Sequence, residues 1–211
     1  MKQIIKDTFV IFIITLIAGA MLGFVNELTL EPIAAYEVEK KSAACAEVFF
    51  EENASGEMVA VKELTFEEIS EETIAEMNGN IQSKVEGNIF ITEVYKAFEN
   101  DTLYGYVIGV TTKEGYNGEI SFYTGFTTDG ILKGVSLLSI AETPGLGMNA
   151  ESVLIPQFRN VTAGTFTVVK TGAQNVGEID AITSATITSN AITGGVNAAY
   201  ECFVIMEGGA E

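Results

Sequence analysis

The sequence predicts an α+β fold: an N-terminal transmembrane helix followed by one extracytoplasmic domain with a mainly antiparallel sheet packed by helices. Three observations carry this. An uncharged apolar run fills Thr8 to Val25. Four β-rich segments joined by short turns follow one another between residues 89 and 141, the pattern of a meander. A segment ending near Met206 repeats apolar residues at spacings of three and four, as a packed helix does.

The bulk composition fits one domain of fair size plus an appendage in 211 residues, with 47% apolar residues and three prolines. The 29 acidic against 11 basic residues give a net charge of −18. Nucleic acid is excluded as a partner, because phosphate contacts need clustered Lys and Arg. Such a charge suits solubility, or docking to a cationic partner. With no histidine in the chain, the usual general base and the commonest metal ligand are missing. Cys45 and Cys202 have no CxxC spacing, so no zinc or iron–sulfur site is expected. Free thiols are favoured over one disulfide.

The run TFVIFIITLIAGAMLGFV is at the lower limit for a bilayer span. Lys2 and Lys6 precede it, and no cation follows until Lys40, which orients the N-terminus to the cytoplasm. Ala18-Gly19-Ala20 resembles a signal-peptide cleavage site, but the apolar run continues through Val25, so an uncleaved anchor is preferred. The expected organisation is an anchor over 1–26, a juxtamembrane helix and linker over 27–58, and the main domain over 59–211.

Pro32 is placed to start a second helix over Ile33 to Phe50, with Ile33 and Tyr36 on its apolar side. Glu51 to Glu57 reads as an acidic loop. A short strand and a Glu-rich helix around Glu67 to Met77 follow. The strands are Ile89 to Ala97, Leu103 to Thr112, Gly118 to Phe126 and Ile131 to Ala141, with turns at Glu99-Asn100-Asp101 and Thr128-Asp129-Gly130. Glu142-Thr143-Pro144-Gly145-Leu146-Gly147 is a loop whose glycines allow close backbone approach. A short helix broken by Pro156 spans Asn149 to Phe158, and Thr165 to Lys170 is a strand. In the last helix Ile187, Ala191, Ile192, Val196, Ala199, Tyr200 and Phe203 draw the buried face, and Ser189, Asn190, Thr193, Asn197 and Glu201 the other.

The stretch Asp180 to Ser189 has the greatest chemical potential. It carries five hydroxyls in seven residues, Thr183, Ser184, Thr186, Thr188 and Ser189, at a helix start with Asp180 upstream. Capping by Asp180 or one hydroxyl accounts for one or two of them. The amides and positive dipole end also suit a phosphate, and a threonine there is able to become a phosphoester. Both readings stand on the residues alone. A serine hydrolase is excluded, since no histidine or SxxK-type pair supplies a base.

Two motifs carry a family resemblance. Asp180-Ala181-Ile182-Thr183-Ser184-Ala185-Thr186 resembles the flavinylation motif D-x-x-[S/T]-G-A-T, and the loop at 142–147 is the other. Gly115-Tyr116-Asn117-Gly118-Glu119-Ile120 resembles a third, G-Y-x-G-x-I. The sequence is similar to the FMN-binding domain family of respiratory flavoproteins, and within it to G subunits of Rnf electron transport complexes. C subunits of Na⁺-translocating NADH:quinone reductases are the nearest alternative, and a free-standing membrane-tethered flavoprotein for extracellular electron transfer is another. The family has Gly where this chain has Ser184.

The resemblance implies an electron-carrying flavoprotein subunit of a complex that couples ferredoxin:NAD oxidoreduction to Na⁺ or H⁺ translocation. It implies FMN bound covalently to Thr186 through a phosphodiester. A flavin transferase makes the link from FAD, with Asp180 assisting that enzyme and Thr183 and Ser184 around the phosphate. Ala185 leaves room for the group. Glu142, Thr143, Leu146 and Gly147 line the flavin, and Lys170 is an extra contact. Partners are other membrane subunits of the complex and membrane lipid. No acid–base catalyst of the protein's own is needed, because the cofactor does the electron chemistry.

Overall fold

The computed structural model describes residues 2–52, 58–61, 64–170 and 172–208, with backbone only for 2, 4, 5, 28, 30–40, 51, 52, 58 and 60. The chain divides into two compact units between Ser42 and Ala43.

In the first unit the backbone is one helix, α1 (Lys2–Glu47), which continues past the division. Its segment Lys6–Glu27, 22 residues with mean hydropathy 2.5, is long and apolar enough to cross a membrane. Phe9, Ile11, Leu16 and Leu22 are exposed on it. The Thr15 and Thr29 hydroxyls donate to the Ile11 and Val25 carbonyls at 3.1 and 3.0 Å, so neither is left unpaired in an apolar surrounding. The helix runs through Pro32 where a restart was expected. An interior proline costs about 3 kcal/mol. Helix formers on both sides, Glu27 to Glu31 and Ala34 to Lys41, offset it. The side chains of Ile33 and Tyr36 lie outside those described.

The second unit is organised by a six-stranded antiparallel sheet. Ahead of it, β1 (Phe50–Glu52) pairs antiparallel with β2 (Met58–Ala60), so Glu51 and Glu52 belong to a ladder and not to the expected acidic loop. Backbone pairing from Phe50 to Ala60 outweighs their polarity; residues 53–57 of that loop lie outside those described. The sheet begins with β3 (Leu64–Glu68). Glu67 and Glu68, expected in a helix, are in this strand opposite Lys96 and Tyr95, a favourable cross-strand charge pairing. Helix α2 (Glu71–Ile81) starts later, at Ser70, whose hydroxyl accepts from Thr73 N.

The next strands are β4 (Ile89–Glu99), β5 (Thr102–Thr112), β6 (Ile120–Thr127) and β7 (Ile131–Ile140), each paired with its successor. Asn100 and Asp101, at φ 48 and 63, make the tight turn between β4 and β5. After β7 come a 3₁₀ turn at Gly147–Asn149, α3 (Ala150–Val153) and a second 3₁₀ turn at Ile155–Phe158 carrying Pro156. The edge strand β8 (Val161–Thr162) completes the sheet. Then β9 (Thr167–Val169) pairs parallel with β10 (Glu178–Asp180), and α4 (Thr186–Met206) follows.

One sheet face packs on α2 and α4 through residues such as Ile108, Phe122, Phe126, Met77, Val196 and Phe203. Gly195 makes this approach possible: a Cβ there would stand 2.5 Å from Phe122 Cζ. The loss of helix propensity at Gly194-Gly195 is the condition of close packing. Ala44, Cys45, Val48 and Phe49 cover the opposite face, against Ala97, Val107 and Tyr123. Asn197 clamps the 166 backbone, accepting from Phe166 N at 2.8 Å and donating to its carbonyl at 2.9 Å. Ser189 and Thr193, expected on the solvated side of α4, are therefore buried, since that side also has protein against it.

Candidate functional site

Where the loop after β7 meets the first turn of α4 there is a cavity of about 480 Å³. Glu142, Thr143, Leu146 and Gly147 form one wall, and Ser184 to Thr188 the other. Tyr116, from the β5–β6 loop, stands at its mouth.

The first wall is a turn forced by Pro144-Gly145, with Gly145 at φ 77. Leu146 N and Met148 N both donate to the Thr143 carbonyl, at 3.1 and 3.3 Å. Gly147 is wedged: a Cβ would lie 2.7 Å from Glu142 Cβ and 2.7 Å from Thr188 Oγ1. Glu142 is 6% exposed, and its Oε1 accepts from Asn117 N at 3.4 Å. Asn117 Nδ2 donates to the Ala141 carbonyl at 2.8 Å, which straps the Tyr116 loop to the end of β7.

The second wall begins at Asp180, the last residue of β10. Gln157 grips its backbone, with Asp180 N donating to Oε1 at 2.8 Å and Nε2 donating to the Asp180 carbonyl at 3.0 Å. The Asp180 carboxylate accepts from Ala173 N at 2.8 Å, so it faces the 172–175 loop and does not cap α4. In the same loop the Glu178 carboxylate accepts from Gln174 N, Asn175 Nδ2 and Asn175 N, and these bonds hold it below its ordinary value.

Ser184 sits at φ 63, in the left-handed region. A non-glycine residue there bears roughly 1–2 kcal/mol of strain. The following Ala185 is the N-cap of α4, at φ −132, and no side chain caps the helix. The expected cap is thus absent, and the first-turn amides face the cavity end of a 21-residue helix with its positive dipole. Nor do the hydroxyls act as one cluster. Thr188 is buried beside Gly147, Ser189 is buried beneath the turn, Thr186 is half-buried in the wall, and Thr183 is exposed.

Of the residues anticipated from sequence, Glu142, Thr143, Leu146, Gly147, Ser184, Ala185 and Thr186 converge on this cavity. Asp180 and Thr183 adjoin its wall in sequence without lining it, and Lys170 is an exposed residue after β9 that does not line it either. Tyr116 and Ile187 line it and were not anticipated, and Thr188, which the sequence placed in the hydroxyl run at the helix start, lines it as well. Tyr116 lay within a recognisable Gly-Tyr-Asn-Gly stretch. Ile187, placed by periodicity on the buried face, is 52% exposed because the first turn of α4 reaches the cavity mouth. With Tyr116 and Leu146 it gives the opening large exposed apolar surfaces. No Lys or Arg lines the cavity among the described residues.

Residues 115–201 match the FMN-binding domain family. Over 204 residues the chain is 32% identical to the G subunit of the Na⁺-translocating ferredoxin:NAD⁺ oxidoreductase complex of Acetobacterium woodii, covering 96% of this chain and 92% of that protein. It is 40% identical over 116 residues to the G subunit of the proton-translocating ferredoxin:NAD⁺ oxidoreductase complex of Clostridium ljungdahlii, covering 54% and 62%. Among solved structures, NqrC of Shewanella oneidensis aligns at a TM-score of 0.47 with 20% identity, over 56% of this chain and 61% of that one.

Proposed function

This chain belongs to the family of G subunits of ion-translocating oxidoreductase complexes, and on that premise we propose that it is an electron-transfer flavoprotein subunit of a membrane complex coupling ferredoxin:NAD⁺ oxidoreduction to Na⁺ or H⁺ translocation. FMN binds in the cavity between the 142–147 loop and the start of α4. The observation that carries this is the juxtaposition of the half-buried Thr186 at an uncapped helix start with the apolar surfaces of Tyr116, Leu146 and Ile187. A ligand with a planar ring at one end and a phosphate at the other needs both.

The donor set fits a phosphodiester in particular. Such a group keeps one negative charge, and first-turn amides with a helix dipole stabilise a single anionic charge without a Lys or Arg. The volume is within the range of small-molecule pockets. Thr186 is the acceptor: its Oγ1 attacks the FMN-side phosphorus of FAD on a flavin transferase. The new P–O bond replaces the one to AMP, AMP leaves, and the hydroxyl proton passes to the transferase. Asp180 and Thr183 lie beyond the cavity wall and serve recognition by that enzyme. Ser184 meets the phosphate through its backbone N–H, which a glycine would supply equally, Ala185 leaves space for it, and Glu142, Thr143, Leu146 and Gly147 bear on the ring. Bound FMN supplies one- and two-electron transfer. The protein fixes its place and shields one side of it.

The span at Lys6–Glu27 tethers the domain to lipid and to the other membrane subunits. The Lys2 and Lys6 bias puts the N-terminus in the cytoplasm and the domain outside.

Intact mass of the membrane-expressed chain, made with its transferase, tests the reading. The chain should gain one FMN minus one water, fluoresce under denaturing conditions, and lose both properties in Thr186→Ala. An unmodified, colourless chain would overturn it.

A further inference from the structure

A clasp shapes the turn in front of α4. The Ser189 hydroxyl, 0% exposed, accepts from Ile182 N at 2.9 Å and donates to the Ala185 carbonyl at 2.9 Å. Ala185 N in turn donates to the Ile182 carbonyl at 2.9 Å. These three bonds tie the two ends of the Ile182–Ala185 turn together, and Ser184 inside it is the residue with φ 63. A serine bonding back four residues along a helix is ordinary. Reaching out of the helix to the amide of Ile182 is the unusual part. That bond occupies a hydroxyl buried under the turn, and Thr186 stays in the cavity wall without folding over the helix start.

We propose that Ser189 is a positioning residue for attachment at Thr186, holding Ser184 left-handed so that the Thr186 hydroxyl is aimed into the cavity. The proposal rests on the reading of Thr186 as the acceptor. In the transfer Thr186 Oγ1 gains the bond to phosphorus, AMP departs with the electrons of the broken P–O bond, and the proton leaves to the transferase. Ser189 touches neither reactant and moves no proton. Its work is on the backbone: serine adopts a left-handed conformation reluctantly and glycine freely. The clasp is needed because this chain has Ser184, and a glycine there should make it dispensable.

The experiment uses the full chain in detergent with the transferase and FAD, as wild type, Ser189→Ala, Ser184→Gly and the double variant. It reads kcat and KM for mass gain, and hydrogen exchange over residues 181–187 of the unmodified chains. Ser189→Ala should lower kcat by about tenfold, the scale of one or two lost hydrogen bonds, with KM for FAD unchanged. Exchange should quicken in that stretch and not in β4 to β7. Ser184→Gly should restore the Ser189→Ala rate to within roughly threefold of wild type, by removing the strain the clasp holds. Modification of Ser189→Ala at the wild-type rate, or a double variant as slow as Ser189→Ala, overturns the proposal alone. A wild-type chain that gains no mass overturns the acceptor reading, and the proposal with it.

Discussion

Gly147 and Thr188 meet so closely across the cavity that a single added methyl at the glycine would stand 2.7 Å from the threonine oxygen. The loop after β7 and the first turn of α4 are therefore set by each other. Gly147→Ala should push them apart, costing about 1–3 kcal/mol. Urea unfolding gives the stability change, and flavin content of the purified chain should fall with it. A fully loaded variant of wild-type stability would show that the loop yields at no cost.

Val48 seats in a groove made by two glycines: a Cβ at Gly125 would lie 2.7 Å from Val48 Cγ2, and one at Gly134 3.2 Å from the Val48 carbonyl. Gly125→Ala should destabilise the domain by about 1–3 kcal/mol. Val48→Ala should cost a similar amount by leaving a hole, and the double variant less than the sum. A double-mutant cycle in urea that proves additive would mean the two residues do not share the site.

Burial, reinforced by the Glu93 carboxylate beside them, raises the Tyr95 and Tyr123 phenols well above their ordinary value. Burial, with the Glu207 carboxylate, pushes Tyr106 up to about 12. In the unfolded chain all three ionise near pH 10. Their contribution is thus whole below about pH 10 and is lost as the pH rises toward their folded values. Phenolate absorbance should show these three titrating together with the loss of near-ultraviolet circular dichroism. Ionisation of all the tyrosines near pH 10 in a folded chain would contradict this.

Neither Cys45 nor Cys202 forms a disulfide; both are buried, and burial lifts the Cys202 thiol to about 12. The Cys202 thiol donates to Met77 Sδ at 3.7 Å, within the core. Maleimide should label neither in the folded chain and both in denaturant without a reductant. Labelling that requires prior reduction would reveal a disulfide.

The meander from β4 to β7 was legible because each strand is rich in β-branched and aromatic residues and each turn has its own Asn, Asp or Gly. Seven of the ten anticipated site residues converge for a similar reason: they belong to two short motifs whose backbones are locally determined. What escaped depended on distant pairing. Asp180 reads as a helix cap until β10 finds β9 and Gln157 takes hold of its backbone. Glu67 and Glu68 read as helix until β3 is laid beside Lys96 and Tyr95. Ser189 has the polarity of a solvated residue, and only the fold brings Ile182 N within its reach.

The cavity's two walls come from either side of the parallel β9–β10 pair, one on the sheet and one on a helix. The hairpins of the sheet involve near neighbours in the chain and form without waiting for distant segments. The cavity has no such independence, for it is absent until α4 has settled against Phe122 through Gly195. Under the attachment proposed at Thr186, the transferase would find its cavity only in chains whose core has formed, and the modified chain would be a record of completed folding.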